Sequence, residues 1–178
     1  MAADIEEPAY RLIETIGPVE LRRYEPTIQA QTVLGSSNET SSGFRRLAAF
    51  IFGENDESAK IAMTAPVTET LTERQPVMAF TMPASYSMQD LPRPNDRRIA
   101  LREVPARTLA VIRFSGWATG SRVANKREEL LATLAAHGIQ PTGELALNQY
   151  NPPWTLPFLR RNEVVVEVDS ASVATARD

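Results

Sequence analysis

The chain has 178 residues, of which 43% are hydrophobic and 23% are charged, and its formal net charge is −3. This length and composition predict one globular domain and exclude a disordered chain. The longest unbroken apolar run, residues 47–52, is too short to span a bilayer.

Cysteine is absent and His137 is the single histidine, which excludes disulfides, thiol catalysis and a His-rich metal site. The acidic balance of charge argues against nucleic acid as a partner. The first ten residues lack the basic flank and apolar core of a secretory signal. Together with the missing cysteine, this predicts a cytoplasmic protein. The oligomeric state stays open, with a monomer favoured.

Alternating and helical patterns of apolar residues predict the elements in chain order. In the first half the patterns predict strands at 10–16, 19–24 and 27–34, a helix from Thr40 or Ser41 to Gly53, and strands at 61–67 and 77–82. In the second half they predict strands at 98–104 and 107–114, a helix at 119–137, and strands at 145–150 and 163–168.

The two halves of the chain repeat one plan. An offset of 80 residues aligns Leu21 with Leu101 and Arg22 with Arg102, and the order of elements is shared. We therefore predict one domain over residues 7–169, built from two repeats at about 10–83 and 98–169 and followed by a frayed tail at 170–178. The groove between the repeats is a natural place for a ligand.

The first helix carries more apolar residues than one buried stripe requires. Phe44, Ala48 and Phe52 form one line, while Leu47 and Ile51 cover the neighbouring surface. Two interpretations stay open: both lines pack into the core, or one line forms the wall of an apolar pocket for a flat ligand.

The segment NPPWTLPFLRRNE, residues 151–163, combines three prolines with large apolar side chains. Rigid aromatic loops often cover pockets, and Trp154 suits such a role. Arg160 could hold a carboxylate in a bidentate manner. A loop that caps the end of a sheet, with solvated arginines, is the simpler interpretation.

Two further residue types invite a chemical role. Glu163 begins an apolar strand, so an acid or base in the groove between the repeats, with Tyr150 or Trp154 beside it, is an alternative to an ion pair. His137 is expected in the last turn of the second helix, where a capping or surface histidine is a simpler interpretation than a metal or haem ligand.

Seven segments together resemble the SOUL family of haem-binding proteins. They cover roughly residues 7–168 and are EPAY (7–10), VELRRYEP (19–26), GFRRLAAFIFGEN (43–55), KIAMTAPV (60–67), FTMP (80–83), LPRPND (91–96) and YNPPWTLPFLRRNEV (150–164).

The resemblance implies an α+β fold in which a duplicated strand-strand-helix-strand-strand unit forms a distorted antiparallel β-barrel flanked by two long helices. The same architecture recurs in bacterial effector-binding domains. It also implies non-catalytic binding of haem or a related tetrapyrrole, for transport or buffering, through the first helix and the loop at 152–159. The residues expected to make contact are Phe44, Arg45, Leu47, Ala48, Ile51, Trp154, Leu156, Pro157 and Arg160.

Arg23 stands where some animal members carry a histidine, and Ser41, Ala49 and Leu156 replace basic side chains. We therefore expect weakly held haem with no clear axial ligand, and no other metal. The alternative function is a small-molecule effector-binding or hydrolase-like domain that uses Glu163, Tyr150 and Trp154.

Overall fold

A computed structural model describes residues 5–175 and divides them into two compact units. The first unit comprises residues 5–8 and 26–105, and the second unit comprises residues 9–25 and 106–175. The N-terminal hairpin therefore belongs with the C-terminal half of the chain. These units do not coincide with the predicted repeats at 10–83 and 98–169, and the internal duplication stays a prediction.

The α+β class is confirmed. The long elements in chain order are β1 (Tyr10–Ile16), β2 (Val19–Tyr24), β3 (Thr27–Val33), α1 (Thr40–Ile51), β4 (Val67–Thr70), β5 (Val77–Thr81), β6 (Ile99–Val104), β7 (Arg107–Phe114), α2 (Gly120–Ala136), β8 (Ala146–Gln149), β9 (Asn162–Glu167) and α3 (Ser170–Thr175). Two 3-10 turns accompany them, Ser37–Glu39 and Pro157–Leu159.

The first unit is an antiparallel sheet, with strand order β4-β5-β3-β6, packed against α1. Leu47, Phe50 and Ile51 of α1 are at most 1% exposed and lie in one hydrophobic cluster with Leu34 and Met78. The contacts of α1 with β3 and β5 therefore show which side of the helix is buried. Its remaining surface stays open to a ligand.

The second unit is an antiparallel sheet of order β1-β2-β7-β9-β8, against which α2 packs. Val164, Val165 and Val166 are all nearly inaccessible, so β9 is buried on both faces. The side chain of Thr119 accepts a hydrogen bond from the backbone of Arg122 and begins α2. Polar side chains of the central strands are also buried in the interior.

The strand predicted at 61–67 is wrong. These residues are irregular up to Pro66, and β4 begins only at Val67. Proline has no amide hydrogen to donate to a strand neighbour, and the amide of Ile61 donates to the carbonyl of Ile51 instead. The alternating sequence is thus used to connect α1 to the sheet.

The frayed tail expected from residue 170 is also corrected, because residues 170–175 form α3. The carboxylate of Asp169 accepts a hydrogen bond from the backbone of Ala171, and Val173 is 5% exposed. A cap and one buried apolar contact order this short helix. Residues 176–178 lie outside the described part.

Gly43 lets α1 approach β3 closely. A Cβ atom at this position would fall well inside van der Waals contact with the buried Leu34 Cδ2, and 3.7 Å from Met78 Sδ. We expect Gly43→Ala to lower the free energy of unfolding by about 1–3 kcal/mol through overpacking, although alanine is the better helix former. Urea unfolding followed by circular dichroism measures the change.

Gly120→Ala is the matched control, because nothing lies within 4 Å of a Cβ atom at this helical position. This variant should be as stable as the parent or slightly more stable. Equal stability of both variants would show that the approach of α1 to Leu34 is not tight.

Candidate functional site

An apolar stripe runs along the open side of α1 and consists of Phe44, Ala48 and Phe52. Spacing by four residues places these side chains above one another on a helix. Phe44 is 37% exposed and Phe52 is 61% exposed, while Ala48 is half-buried. The ring of Phe44 meets Phe80 edge-on, with 5.3 Å between the centroids. The stripe is thus an exposed apolar surface on a rigid support.

Arg45 lies next to this stripe and is exposed. Its Nε donates to the carbonyl oxygen of Ser41 at 3.3 Å, which leaves the end of the guanidinium pointing away from the backbone bond. A cation beside an apolar stripe suits a flat apolar ligand that carries an acidic group at its edge.

Leu47 and Ile51 are two predicted contact residues that the structure places in the core. They are 0% and 1% exposed, so neither side chain offers surface to a ligand. This explains why α1 carries more apolar residues than one buried stripe requires. One line packs on the sheet, and the line through Phe44 and Ala48 stays open.

The loop at 152–159, in the second unit, exposes large apolar side chains. Trp154 is 83% exposed, Leu156 54% and Phe158 72%, while Pro157 is partly buried. The 3-10 turn Pro157–Leu159 lies within this loop, and the sequence patterns did not predict it. The loop is a second apolar surface, carried by a different unit.

Arg160 supports the loop from inside. Its side chain is largely buried and donates to the carbonyl oxygens of Thr155, at 3.1 Å, and of Pro153. The guanidinium also lies 4.1 Å from the ring centroid of Trp117. The predicted ligand-binding arginine is thus engaged in positioning the loop. Sequence reasoning missed the role of Trp117, because no short motif links residues so far apart.

Glu163 lies at the centre of a buried polar cluster in the second unit. Its side chain is 0% exposed and accepts hydrogen bonds from Arg22 Nη1 at 3.1 Å and from Arg161 Nε at 3.2 Å. The hydroxyl of Tyr150 donates to the same carboxylate at 2.7 Å. Of the three residues predicted for catalysis, Glu163 and Tyr150 are brought together, whereas Trp154 is 83% exposed and lies outside this buried cluster.

Arg22 is the functional partner that sequence reasoning missed. Its Nη1 also donates to the hydroxyl of Tyr24 at 3.1 Å, its Nε donates to Glu20 at 2.7 Å, and its guanidinium lies 4.5 Å from the ring centroid of Tyr10. Both Nε and Nη1 of the arginine therefore have hydrogen-bond partners. The available signal was an arginine between the apolar residues of β2, which alternation alone assigns to solvent.

The two tyrosines in this cluster keep their protons to high pH. Burial, followed by the charge of Glu163, raises the pKa of Tyr150 far above 10. Burial also raises the pKa of Tyr24, although hydrogen bonding from Arg22 opposes the rise. Tyr150 thus remains a hydrogen-bond donor to Glu163, whose carboxylate serves as the counter-ion of Arg22. This geometry favours a structural role over acid–base catalysis.

His137 is the C-cap residue of α2, and Arg23, which stands where some animal members carry a histidine, lies on β2. His137 Nδ1 hydrogen-bonds to the carbonyl oxygen of Thr133 at 2.9 Å, at the end of α2, and Arg23 donates to Thr108 at 3.4 Å. Among residues 5–175, no group of three or more His, Asp and Glu side chains could hold a metal ion. In the same range, none of the helices has the length and hydropathy needed to cross a membrane.

Replacing Arg22 by methionine should lower the free energy of unfolding by about 3–5 kcal/mol, because Glu163 stays buried without its main counter-charge. The double variant Arg22→Met/Glu163→Leu should recover most of this loss, since no unpaired buried charge remains. Urea unfolding of the parent and both variants measures the difference. Equal loss in the single and double variants would contradict the pairing.

The cluster also predicts a dependence of stability on alkaline pH. A tyrosine whose pKa is raised by folding contributes its full stability below pH 10 and loses it as the unfolded chain ionises above that pH. The free energy of unfolding should therefore fall as pH rises above about 10. The variant Tyr150→Phe should show a shallower fall in pH-resolved urea titrations. An unchanged slope would exclude Tyr150 as its source.

Comparisons with known proteins agree with this fold. The crystal structure of the EcmrR C-terminal domain superposes with a TM-score of 0.65 at 13% identity and covers 90% of this chain and 98% of that domain. A hydrolase from Listeria innocua superposes with a TM-score of 0.60 at 9% identity and covers 88% of this chain and 94% of that one. At such identities the likeness shows the fold alone.

Sequence comparisons give information about the family as well as the fold. Human "Heme-binding protein 2" is 30% identical over 149 residues, which are 76% of this chain and 70% of that protein. "Heme-binding protein 1" of Xenopus laevis is 28% identical over 133 residues, which are 70% of this chain and 68% of that protein. The family profile described as "SOUL heme-binding protein" matches residues 5–167. The chain therefore belongs to the SOUL heme-binding protein family.

Proposed function

We propose that the chain binds haem or a related tetrapyrrole through the apolar stripe of α1, without catalysing a reaction. The observation that carries this proposal is the exposure of Phe44 and Phe52 on the open side of a helix whose opposite side is buried. Membership of the SOUL family and the names of its heme-binding relatives support the choice of ligand.

Burial of a flat apolar ring system supplies the affinity in this proposal. Covering about 300 Å² of apolar surface contributes about 7 kcal/mol, part of which offsets the cost of association. Binding in the micromolar range or weaker follows. Arg45 beside the stripe pairs with an acidic substituent of the ligand. The chain has one histidine and no cysteine, and the proposal assigns no axial ligand to iron.

Such affinity suits a protein that both takes up and releases its ligand, so the proposed role is transport or buffering. The absence of cysteine fits a reducing compartment, and we place this role in the cytoplasm. Non-catalytic action is supported by Glu163, the strongest candidate acid or base, which is inaccessible and hydrogen-bonded to Arg22, Arg161 and Tyr150.

A hemin titration followed by the Soret band tests the proposal. The parent should show a saturable signal at a ratio of one to one. Phe44→Asp should weaken binding by about tenfold or more, because a carboxylate would be desolvated against an apolar ring. Val33→Asp is the matched control, since Val33 is a 53% exposed apolar residue of the same unit that lies outside the stripe.

The loop is tested separately with Trp154→Asp, whose effect on affinity reports whether the second apolar surface contributes. Circular dichroism confirms that each variant is folded. Saturable binding of equal strength in the parent and in Phe44→Asp would reject the stripe as the site. Unsaturable binding shared by all variants would mean that hemin adheres to apolar surface without a site, which also rejects the proposal.

A further inference from the structure

A pocket of about 380 Å³ opens in the first unit, beside α1. Its apolar lining residues are Ala49, Ile99 and the nearly inaccessible Phe50, and its basic lining residues are Arg45, Arg46 and Arg98. The volume lies at the lower end of the range that small-molecule sites occupy. Phe44 and Ala48 of the stripe are not among its lining residues, so the pocket lies on a different side of α1.

Two of the basic side chains of the pocket have N–H donors that the described part of the protein does not use. Arg98 uses its Nε and Nη2 on Asp96, at 2.9 and 2.7 Å, and Arg45 uses only its Nε, on the carbonyl of Ser41. Among the residues that the structure describes, Nη1 of Arg98 and both terminal nitrogens of Arg45 have no hydrogen-bond partner. These nitrogens present N–H groups in the planar arrangement that matches a carboxylate.

Arg46 adds a buried positive charge that is incompletely paired. Its Nη1 donates to Thr32 at 2.6 Å, but its buried Nε has no hydrogen-bond partner. The nearest carboxylate oxygen, Asp96 Oδ2, is 3.8 Å from this Nε and is already engaged by Arg98. A buried N–H group without an acceptor favours the binding of an additional anion.

The carboxylates of the pocket leave an excess of one positive charge. Asp96 and Glu54 oppose the three arginines of the lining. Hydrogen bonds from the side chain and backbone of Arg98 lower the pKa of Asp96 to about 2, so it stays ionised at neutral pH. Its charge is committed to Arg98, and the remaining donors of Arg45 and Arg98 stay available to an anion.

We propose that this pocket binds a small organic monocarboxylate with an apolar body of about the size of benzoate. The carboxylate pairs with Arg45 and Arg98, and the body lies on Ala49 and Ile99. This site shares Arg45 with the proposed tetrapyrrole surface, but its apolar lining residues Ala49 and Ile99 lie outside the stripe. Its ligand class follows from the combination of guanidinium donors, a single excess charge and an apolar lining.

Titration of the full chain with benzoate, followed by nitrogen-edited NMR, tests this site. The side-chain Nε–H signals of Arg98 and Arg46 should shift to a saturable end point. Arg98→Gln should weaken benzoate binding by about tenfold. This variant should fold, because the side chain of Arg98 is 68% exposed. Arg97→Gln is the matched control, since Arg97 is an exposed neighbour that does not line the pocket.

Two further probes separate the chemistry of the pocket. Inorganic phosphate, which has no apolar body, should bind more weakly than benzoate, and benzylammonium should not bind. Tighter binding of benzylammonium would mean that Glu54 and Asp96 govern the pocket, and it would overturn the proposal. An equal effect of Arg98→Gln and Arg97→Gln would also overturn it.

The stripe and the pocket are distinguished by exchanging variants and ligands. Phe44→Asp should leave benzoate binding unchanged, and Arg98→Gln should leave hemin binding unchanged. Loss of both ligands in one folded variant would show that the pocket is part of the tetrapyrrole site, contrary to this inference.

Discussion

The ion pair between Arg22 and Glu163 is the constraint on which the second unit depends. The side chains are 3% and 0% exposed, so removal of either charge leaves the other buried without its main partner. The two residues are 141 positions apart, and their contact joins the N-terminal hairpin to β9. Any other register of β2 against β7 would leave a buried charge without its partner. The ion pair therefore specifies the register of β2 against β7, whatever it contributes to the free energy of unfolding.

The same cluster separates structural chemistry from binding chemistry in this chain. The buried charged and hydroxyl groups of the second unit bind one another in the interior, where Tyr150 and Arg161 complete the hydrogen bonds to Glu163. The surfaces left for ligands are apolar or carry arginines with unused donors. Under the proposed function, such surfaces recognise a ligand by shape, by burial and by charge at its edge. The proposal therefore implies broad specificity, since burial does not distinguish closely related flat molecules.

The sequence patterns predicted most of the fold because the strands alternate and the two long helices have clear ends, such as Gly138 after α2. They failed at 61–67, where alternation was present but Pro66 and the amide of Ile61 had other roles. Pairing between Arg22 and Glu163 was not predictable, since β2 reads as a half-exposed strand until its distant partner is known. Local periodicity carries no information about such contacts.

The candidate surfaces were predictable only in part. An excess of apolar residues in α1 indicated that one line faces something besides the sheet, but only the contacts with β3 and β5 show that Leu47 and Ile51 are the covered ones. Arg160 could be read as a ligand partner because its carbonyl acceptors lie on a loop whose path no pattern describes. The pocket beside Arg98 was missed because its lining comes from segments separated by more than forty residues.

The support of the loop at 152–159 by Arg160 has a consequence for how this surface can change. Three prolines and the arginine fix the path of the backbone, whereas Trp154 and Phe158 project outwards and make little contribution to holding it. The backbone path of this loop therefore does not depend on the chemistry of its exposed side chains. Exposed positions can be exchanged for other residue types at little cost in folding, so the loop is a natural scaffold for divergence within the family and for the grafting of new recognition surfaces.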